Sequence, residues 1–346
     1  MSAFELITAM GHEQVVYCHD SKTDLKAIIA IHNTKLGPAL GGCRMWPYQS
    51  EAEALKDVLR LSRGMTYKAA VANLKLGGGK AVIIGDPKKI KSEALFRSFG
   101  KFVDSLGGKY ITAEDVNIKV EDIENVAKET KHVTGITSRP GGSGDPSPFT
   151  ALGVYHGIRA TVKYKLKTDS LKGLRIGVKG LGAVGGHLCK HLYEDGAKIF
   201  VADIAAEKVQ DMVTQFGATA VPVDQIHMHE LDVLSPCALG ADLHDQSIPQ
   251  IKARVIAGGA NNQLADEKIH GKQLKDRGIL YAPDYVINAG GLINVYQEII
   301  GYNKDAANKK TAEIYDTLLK IFAEAEQRDI PTYQASNLIA ERAVGM

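Results

Sequence analysis

Hydrophobic positions near the start of the chain fall in short runs, Val15-Val16-Tyr17-Cys18 and Ala27-Ile28-Ile29-Ala30-Ile31, separated by polar turns. Runs of this length rich in β-branched residues predict strands. A glycine- and proline-rich loop, LGPALGGCRMWPY, follows. Ser50 and Glu53 have the spacing of a capping box. They open a helix in which Leu55, Val58, Leu59 and Ser62 recur at helical spacing, with Gly64 as its expected end. Ala81–Ile84 reads as a buried strand stopped by Gly85-Asp86-Pro87, and a second helix over about 92–106 ends at Gly107-Gly108. The stretch KYITAEDVN then predicts a short strand delivering Glu114 and Asp115 into a loop.

Farther on the pattern becomes regular. Helices over 150–165, 183–195 and 205–216 alternate with strands over 174–179, 197–203 and 218–221, and two more strands lie near 231–234 and 254–257. Alternation at this pitch predicts βαβ units and a parallel sheet. Residues 137–148, TSRPGGSGDPSP, hold three prolines and three glycines in twelve residues, which places a domain boundary there. The expected fold class is α/β in two domains: residues 1–140, an α/β domain, and 141–324, a doubly wound Rossmann-type domain. The last forty residues have helical spacing, with Ile314, Leu318, Leu319 and Phe322 on one face.

Composition adds exclusions. With 45% hydrophobic and 24% charged residues, the chain is neither disordered nor fibrous. The net charge is +2, and the short clusters Lys88-Lys89 and Lys309-Lys310 lack interleaved aromatics, so no nucleic-acid partner is expected. No apolar run reaches the ~18 residues of a membrane span, and no membrane partner is expected. Four cysteines, Cys18, Cys43, Cys189 and Cys237, form no C-x-x-C pair. That is neither a disulfide framework nor a zinc pattern, and a cytoplasmic location follows. His187 and His191 stand at helical i, i+4 spacing, but without the adjacent Glu of a metalloprotease helix, and His227 and His229 read as surface residues. No metal is expected.

Two glycine clusters carry candidate chemistry. The first, GLGAVG, sets Gly180, Gly182 and Gly185 in G-x-G-x-x-G register between a strand and a helix, and the next strand ends in Asp203, 23 residues after Gly180. Gly180 permits the tight turn, Gly182 lets backbone approach a pyrophosphate, and Gly185 lets helix and strand pack closely. The helix N-terminus offers free N–H groups to phosphates. Asp203 would accept from ribose hydroxyls and repel a 2′-phosphate, favouring NAD. The second cluster, Leu76-Gly77-Gly78-Gly79-Lys80, fails as a P-loop because Leu74 stands at the first glycine position and Ala81 follows the lysine. Lys68, Lys80 and the pair Glu114-Asp115 all lie at ends of apolar elements. A lysine beside another cation in a site that water leaves can serve as a base.

These stretches carry a resemblance. KAIIAIHNTKLGPALGGCRMW, RLSRGMTYKAA, LGGGKAVIIGDP, YITAEDV, GDPSPFTALGVY, GLGAVG, SPCALG, GGANNQL and APDYVINAGGLINV together resemble the Glu/Leu/Phe/Val amino-acid dehydrogenase family, and within it most closely the leucine dehydrogenases. The resemblance implies NAD-dependent, reversible oxidative deamination of an apolar L-amino acid (leucine, valine or isoleucine) to the 2-oxo acid and ammonia. The aromatic amino acids, phenylalanine or tryptophan, are the alternative, and a silent NAD-binding regulatory protein a more distant one. It implies that Lys68 holds the substrate carboxylate, that Lys80 is a lysine of lowered basicity that activates water, and that Asp115 exchanges a proton with the substrate amine. Thr150 and Asn262 would orient the nicotinamide, and Asn288 would contact the substrate near its amino group. Leu40, Gly41, Met65, Ala113, Leu292 and Val295 would line the side-chain pocket. The cofactor turn would comprise Gly180, Gly182, Ala183, Val184 and Gly185. Two departures stand out: Ala183 where relatives often have Asn, and Leu292, which resembles the phenylalanine and tryptophan enzymes. By the same resemblance, residues 325–346 return to the first domain, through which a homo-oligomer assembles.

Overall fold

The computed structural model describes residues 2–136 and 142–346; residues 137–141, the first part of the expected linker, lie outside the described residues. The chain divides into two units: Met1–Asp145 with Val295–Tyr302 and Ala340–Met346, and Pro146–Asn294 with Asn303–Ile339.

In the first unit the order is α1 (Ala3–Met10), β1 (Gln14–Asp20), β2 (Leu25–Asn33), β3 (Ala39–Leu40), β4 (Cys43–Trp46), α2 (Glu51–Val71), β5 (Gly77–Ile84), α3 (Glu93–Ser105), β6 (Tyr110–Ile111) and α4 (Val120–Ala127). The strands form a mixed sheet in the order β1-β2-β5-β3-β6, with β4 also on β5. β2 runs antiparallel to β1 and β5, whereas β3 and β4 run parallel to β5. Both faces are covered, so β2 and β5 are apolar almost throughout rather than alternating. Ile28, Ala30 and Val82 pack with Leu55, Val58 and Leu59 of α2. Ile29, Ile31, Ala81 and Ile83 pack with Phe96, Phe99 and Val103 of α3 and with Ile123 and Val126 of α4.

Helix α2 corrects two expectations. It passes through Gly64 and continues to Val71, carrying Thr66, Tyr67, Ala69, Ala70 and Val71 into the interior. A glycine inside a helix costs only about 1 kcal/mol, which this burial outweighs. Ser50 caps the helix by accepting from Glu53 N, but the Glu53 carboxylate accepts from Gln49 N at 2.8 Å rather than closing a box on Ser50. Strand β5 likewise starts at Gly77, so Lys80 stands inside the strand and not at its head.

The second unit holds α5 (Ser147–Leu166), β7 (Arg175–Lys179), α6 (Ala183–Glu194), β8 (Lys198–Ala202), α7 (Ala206–Phe216), β9 (Thr219–Ala220), β10 (Val233–Pro236), β11 (Val255–Ile256), α8 (Glu267–Asp276), β12 (Leu280–Tyr281), α9 (Asp284–Ile287), α10 (Gly290–Ile300), α11 (Lys304–Ala312), α12 (Ile314–Arg328) and α13 (Thr332–Val344). Its sheet is wholly parallel, in the order β12-β11-β10-β7-β8-β9. Strand order reverses between β7 and β10, the switch point at which doubly wound sheets bind ligands. On α12 the buried stripe is Ile314, Leu318, Ile321, Phe322 and Ala325; Ile321 takes the place expected for Leu319.

Helices α10 and α13 give residues to both units. Only Ala340–Met346 of the expected returning segment groups with the first unit, and Val295–Tyr302 joins it. The start of α13 is tied within the second unit, where Tyr285 Oη lies 2.8 Å from both Ser336 Oγ and Asn337 Oδ1. Its end is tied in the first, where Tyr67 donates to the Glu341 carboxylate at 2.7 Å.

Candidate active site

Lys80 is where it is because its glycine neighbours let other elements close in. A methyl group at Gly78 would lie 2.1 Å from the Thr66 backbone nitrogen, so the absence of a side chain seats α2 directly against β5. At Gly79 it would lie 2.7 Å from the Tyr110 ring. Because strand side chains alternate, Gly78, Lys80 and Val82 share the face covered by α2. Lys80 is 6% exposed.

The loop after β6 is stitched to β4. Cys43 N donates to Ala113 O at 2.8 Å, Met45 N to Val116 O at 3.1 Å, and Asn117 Nδ2 to Met45 O at 3.0 Å. This brings Asp115 Oδ2 to 2.8 Å from Lys80 Nζ. From sequence, Lys80 is expected beside another cation; the charge it touches is a carboxylate. A second cation, Arg44 Nε, meets the same oxygen at 3.1 Å. Burial works to raise the Asp115 carboxyl, but Lys80 and Arg44 together hold it below the usual carboxylate range. Glu114, beside it, is moved the other way by burial and by the nearby Asp145 and Asp115. Burial pushes the Cys43 thiol up, with Lys80 only partly opposing, so this cysteine is no thiolate nucleophile.

The other expected substrate residues of the first unit are placed as follows. Leu40 is buried at the end of β3, and Gly41 donates to Ile111 O and accepts from the Tyr110 hydroxyl at 2.6 Å. Met65 and Lys68 lie on the last two turns of α2, both half-buried; Ala113 begins the Asp115 loop, and Val295 is buried on α10. Arg44 is absent from the sequence-based site. It falls in the stretch read from sequence as a glycine- and proline-rich loop; the structure instead places it on β4, between buried Cys43 and Met45.

In the second unit, Gly180 has φ +99°, and a methyl there would meet Ala238 N at 2.6 Å. At Gly185 it would lie 2.0 Å from Gly180 O, so strand and helix are in near contact. At Gly182 it would meet, beyond its two chain neighbours, no atom of the described residues within 4 Å. Gly182 is also the N-cap of α6, with no side chain capping it, and Ala183 and Val184 follow as the first helical residues. A turn with backbone N–H groups beside open space fits a dinucleotide pyrophosphate. Asp203, just past β8, accepts from Leu181 N at 2.5 Å and Ala205 N at 2.8 Å. Burial acts to raise its carboxyl, but these two N–H groups outweigh it and hold the carboxyl low.

Around the same switch point, Asn288 is buried and its Nδ2 donates to Asn261 Oδ1 at 2.7 Å and to Gly259 O at 3.2 Å, while its Oδ1 is a buried acceptor with no partner among the described residues. Asn262 has φ +52° and accepts from Ala241 N at 2.7 Å. Thr150 Oγ1 donates to Pro146 O at 3.1 Å, and a methyl at Gly291 would lie 2.7 Å from it. Leu292 is buried on α10. Among the described residues no group of three or more His, Cys, Asp or Glu is arranged to hold a metal ion. His191 instead stacks on Tyr155, with ring centroids 5.3 Å apart. No helix among the described residues is long and apolar enough to cross a membrane.

Comparison with known proteins follows this geometry. Residues 12–132 match the family description "Glu/Leu/Phe/Val dehydrogenase, dimerisation domain", and residues 201–344 match "Glutamate/Leucine/Phenylalanine/Valine dehydrogenase". The chain is 54% identical to a leucine dehydrogenase of Geobacillus stearothermophilus, over 99% of this chain and 94% of that one. It is 50% identical to a valine dehydrogenase of Streptomyces virginiae, over 96% and 93%. The crystal structure of L-tryptophan dehydrogenase from Nostoc punctiforme superposes with a TM-score of 0.90 at 48% identity, covering 99% of both chains. With a glycine turn in one unit and a buried lysine paired to a carboxylate in the other, the chain belongs to the Glu/Leu/Phe/Val dehydrogenase family of amino-acid dehydrogenases.

Proposed function

We propose that the protein catalyses the NAD-dependent oxidative deamination of a branched aliphatic L-amino acid, and the reverse amination. The observation that carries this reading is the Lys80–Asp115 pair, 2.8 Å apart, in which Lys80 is buried in β5 and Asp115 reaches it from the loop after β6. Overall, amino acid, NAD⁺ and water give 2-oxo acid, ammonium, NADH and a proton. The bound nicotinamide supplies the hydride acceptor. Lys68 holds the substrate carboxylate through its positive charge. Asp115 takes a proton from the substrate ammonium, freeing the nitrogen lone pair that drives hydride departure from Cα. Lys80, having given up its own proton, takes one from the water that attacks the resulting iminium carbon. It returns that proton to the carbinolamine nitrogen and takes up the hydroxyl proton as the carbonyl forms and ammonia leaves. The unpartnered Asn288 Oδ1 is an acceptor for the substrate amine. Thr150 and Asn262 orient the nicotinamide, and Leu40, Gly41, Met65, Ala113 and Val295 of the first unit contact the substrate side chain.

Gly180, Gly182, Ala183, Val184 and Gly185 hold the pyrophosphate, and Asp203 the adenosine ribose, where its charge repels a 2′-phosphate. NAD is therefore preferred over NADP. The protein acts in the cytoplasm, a reading supported by four unpaired cysteines, as a homo-oligomer assembled through the first unit. Leu292 favours a second reading, an aromatic amino acid as substrate, and the tryptophan dehydrogenase likeness supports it.

A substrate panel of leucine, valine, isoleucine, phenylalanine and tryptophan, followed as NADH absorbance, separates the two. The expected order places the three aliphatic substrates first in kcat/KM; aromatic substrates leading would overturn it. Lys80→Ala should lower kcat at least about 10³-fold. Because Arg44 stays on Asp115, the variant leaves no uncompensated carboxylate and should fold. Near-wild-type turnover would refute the assigned chemistry.

A further inference from the structure

One cation at the site has no part in the reaction as proposed. Arg44 lies at the middle of β4, paired in register with Val82 of β5, so it shares the sheet face of Lys80. Its guanidinium bridges two carboxylates: Nε stands 3.1 Å from Asp115 Oδ2, and the Nη1 nitrogen 3.1 Å from Asp57 Oδ2. Asp57 lies on α2 and is itself held, accepting from the Tyr48 hydroxyl at 2.7 Å and from Arg60 at 3.2 Å. The guanidinium is about one-fifth exposed, with a side-chain accessibility of 21%.

We propose that Arg44 is a positioning residue of the deamination: tethered to α2 through Asp57, it holds the Asp115 carboxylate in register while the charge on Lys80 comes and goes. The proposal rests on the roles assigned above to Lys80 and Asp115. Its physical basis is a difference between two cations on one oxygen. A lysine that works as a base must pass through its neutral form, and a carboxylate paired only with that lysine would lose its counter-charge in every turnover. An arginine keeps its proton throughout and presents a planar fork that spans two carboxylates. Burial opposes the guanidinium charge, and Asp115 and Asp57 more than offset this. Asp115 is faced by Lys80 from β5, by Arg44 and Cys43 from β4, by Tyr110 from β6, and by Glu114 in its own loop. Of these, Arg44 is the permanent cation.

The test compares Arg44→Gln, Arg44→Lys, Asp57→Asn and Asp115→Asn, each assayed for kcat, KM and the pH profile of kcat/KM. In Arg44→Gln, kcat should fall on the order of 10–100-fold, as for a misplaced catalytic group. The acidic limb of the profile should move up by about one pH unit, because a contacting opposite charge has been removed. KM for NAD should not change. Arg44→Lys, which keeps a charge but not the fork, should recover part of both losses. Asp57→Asn, which cuts the tether but leaves Arg44 on Asp115, should shift the limb in the same direction by less. It also serves if Arg44→Gln fails to fold. A folded Arg44→Gln with wild-type kcat and acidic limb would overturn the proposal, as would Asp57→Asn with an unmoved profile where Arg44→Gln does not fold. If those results accompany an inactive Asp115→Asn, only the role of Arg44 is wrong. An active Asp115→Asn would instead remove the reading on which it stands.

Discussion

Two glycine clusters, Gly77-Gly78-Gly79 before Lys80 and Gly180/Gly182/Gly185 before α6, have opposite uses. In the first, the space where a side chain would stand is already filled with protein: backbone of α2 at Gly78 and the Tyr110 ring at Gly79. In the second, Gly180 and Gly185 serve the turn's own packing, but Gly182, beyond its two chain neighbours, faces no atom of the described residues within 4 Å. One cluster brings elements together so that a charged side chain can be buried among them. The other packs its own turn through Gly180 and Gly185 and leaves Gly182 open on the side where a Cβ would stand. A glycine in a binding motif and a glycine in a packing motif are thus told apart by what stands beyond the missing Cβ.

Substitutions can break this contrast. The largest effect is expected from Gly78→Ala, where a methyl at 2.1 Å from Thr66 N must displace helix backbone. Over-packing of this kind should cost about 3 kcal/mol, read by denaturant unfolding, and should lower activity by moving Lys80 relative to Asp115. A tolerated alanine there would mean that α2 is free to shift.

Next comes the same face of α2, where Ser62 and Thr66 also lie against Gly78. His12 Nε2 lies 2.8 Å from Ser62 Oγ, and His32 Nδ1 2.8 Å from Thr66 Oγ1, both on α2. Burial, then the neighbouring His32, lowers His12 from 6.5 to about 4, and burial with Arg63 does the same for His32. The unfolded chain takes up these protons near pH 6.5 and the folded chain only near pH 4, so stability holds above 6.5 and falls as pH drops through that interval. The loss should be on the order of 2 kcal/mol per histidine by pH 5, seen in thermal melts, and His32→Asn should flatten the slope. An equal slope in the variant would place the titrating groups elsewhere.

The smallest effect on stability should come from Gly182→Ala, within about 0.5 kcal/mol of wild type, since the methyl meets no atom of the described residues beyond its chain neighbours. Its effect belongs to binding: KM for NAD should rise about tenfold with melting unchanged. A destabilised variant with unchanged KM would make Gly182 a packing glycine like Gly78.

The dinucleotide turn was readable in the sequence because its requirements are local. A strand, three glycines, a helix and an acid follow one another within a span that period and spacing describe; that Asp203 accepts from Leu181 N in the turn itself was not foreseen. Lys80 and Asp115 were legible as candidates, though not as a contact. The continuation of α2 past Gly64 was hidden because helix propensity is a weak preference that tertiary burial overrides.

What the sequence by itself determined is the alternation of elements, the α/β class, the glycine turn with its acid, and the residue types available for acid–base work. These depend on neighbours in the chain, where periodicity is visible. Only the tertiary structure decided that Lys80 meets an anion, that Arg44, in a stretch read from sequence as a loop, bridges Asp57 and Asp115, and which glycines face protein. Charge pairing and close packing join residues as far apart as 44 and 115, and no local pattern records which side chains a folded sheet will bring to one face.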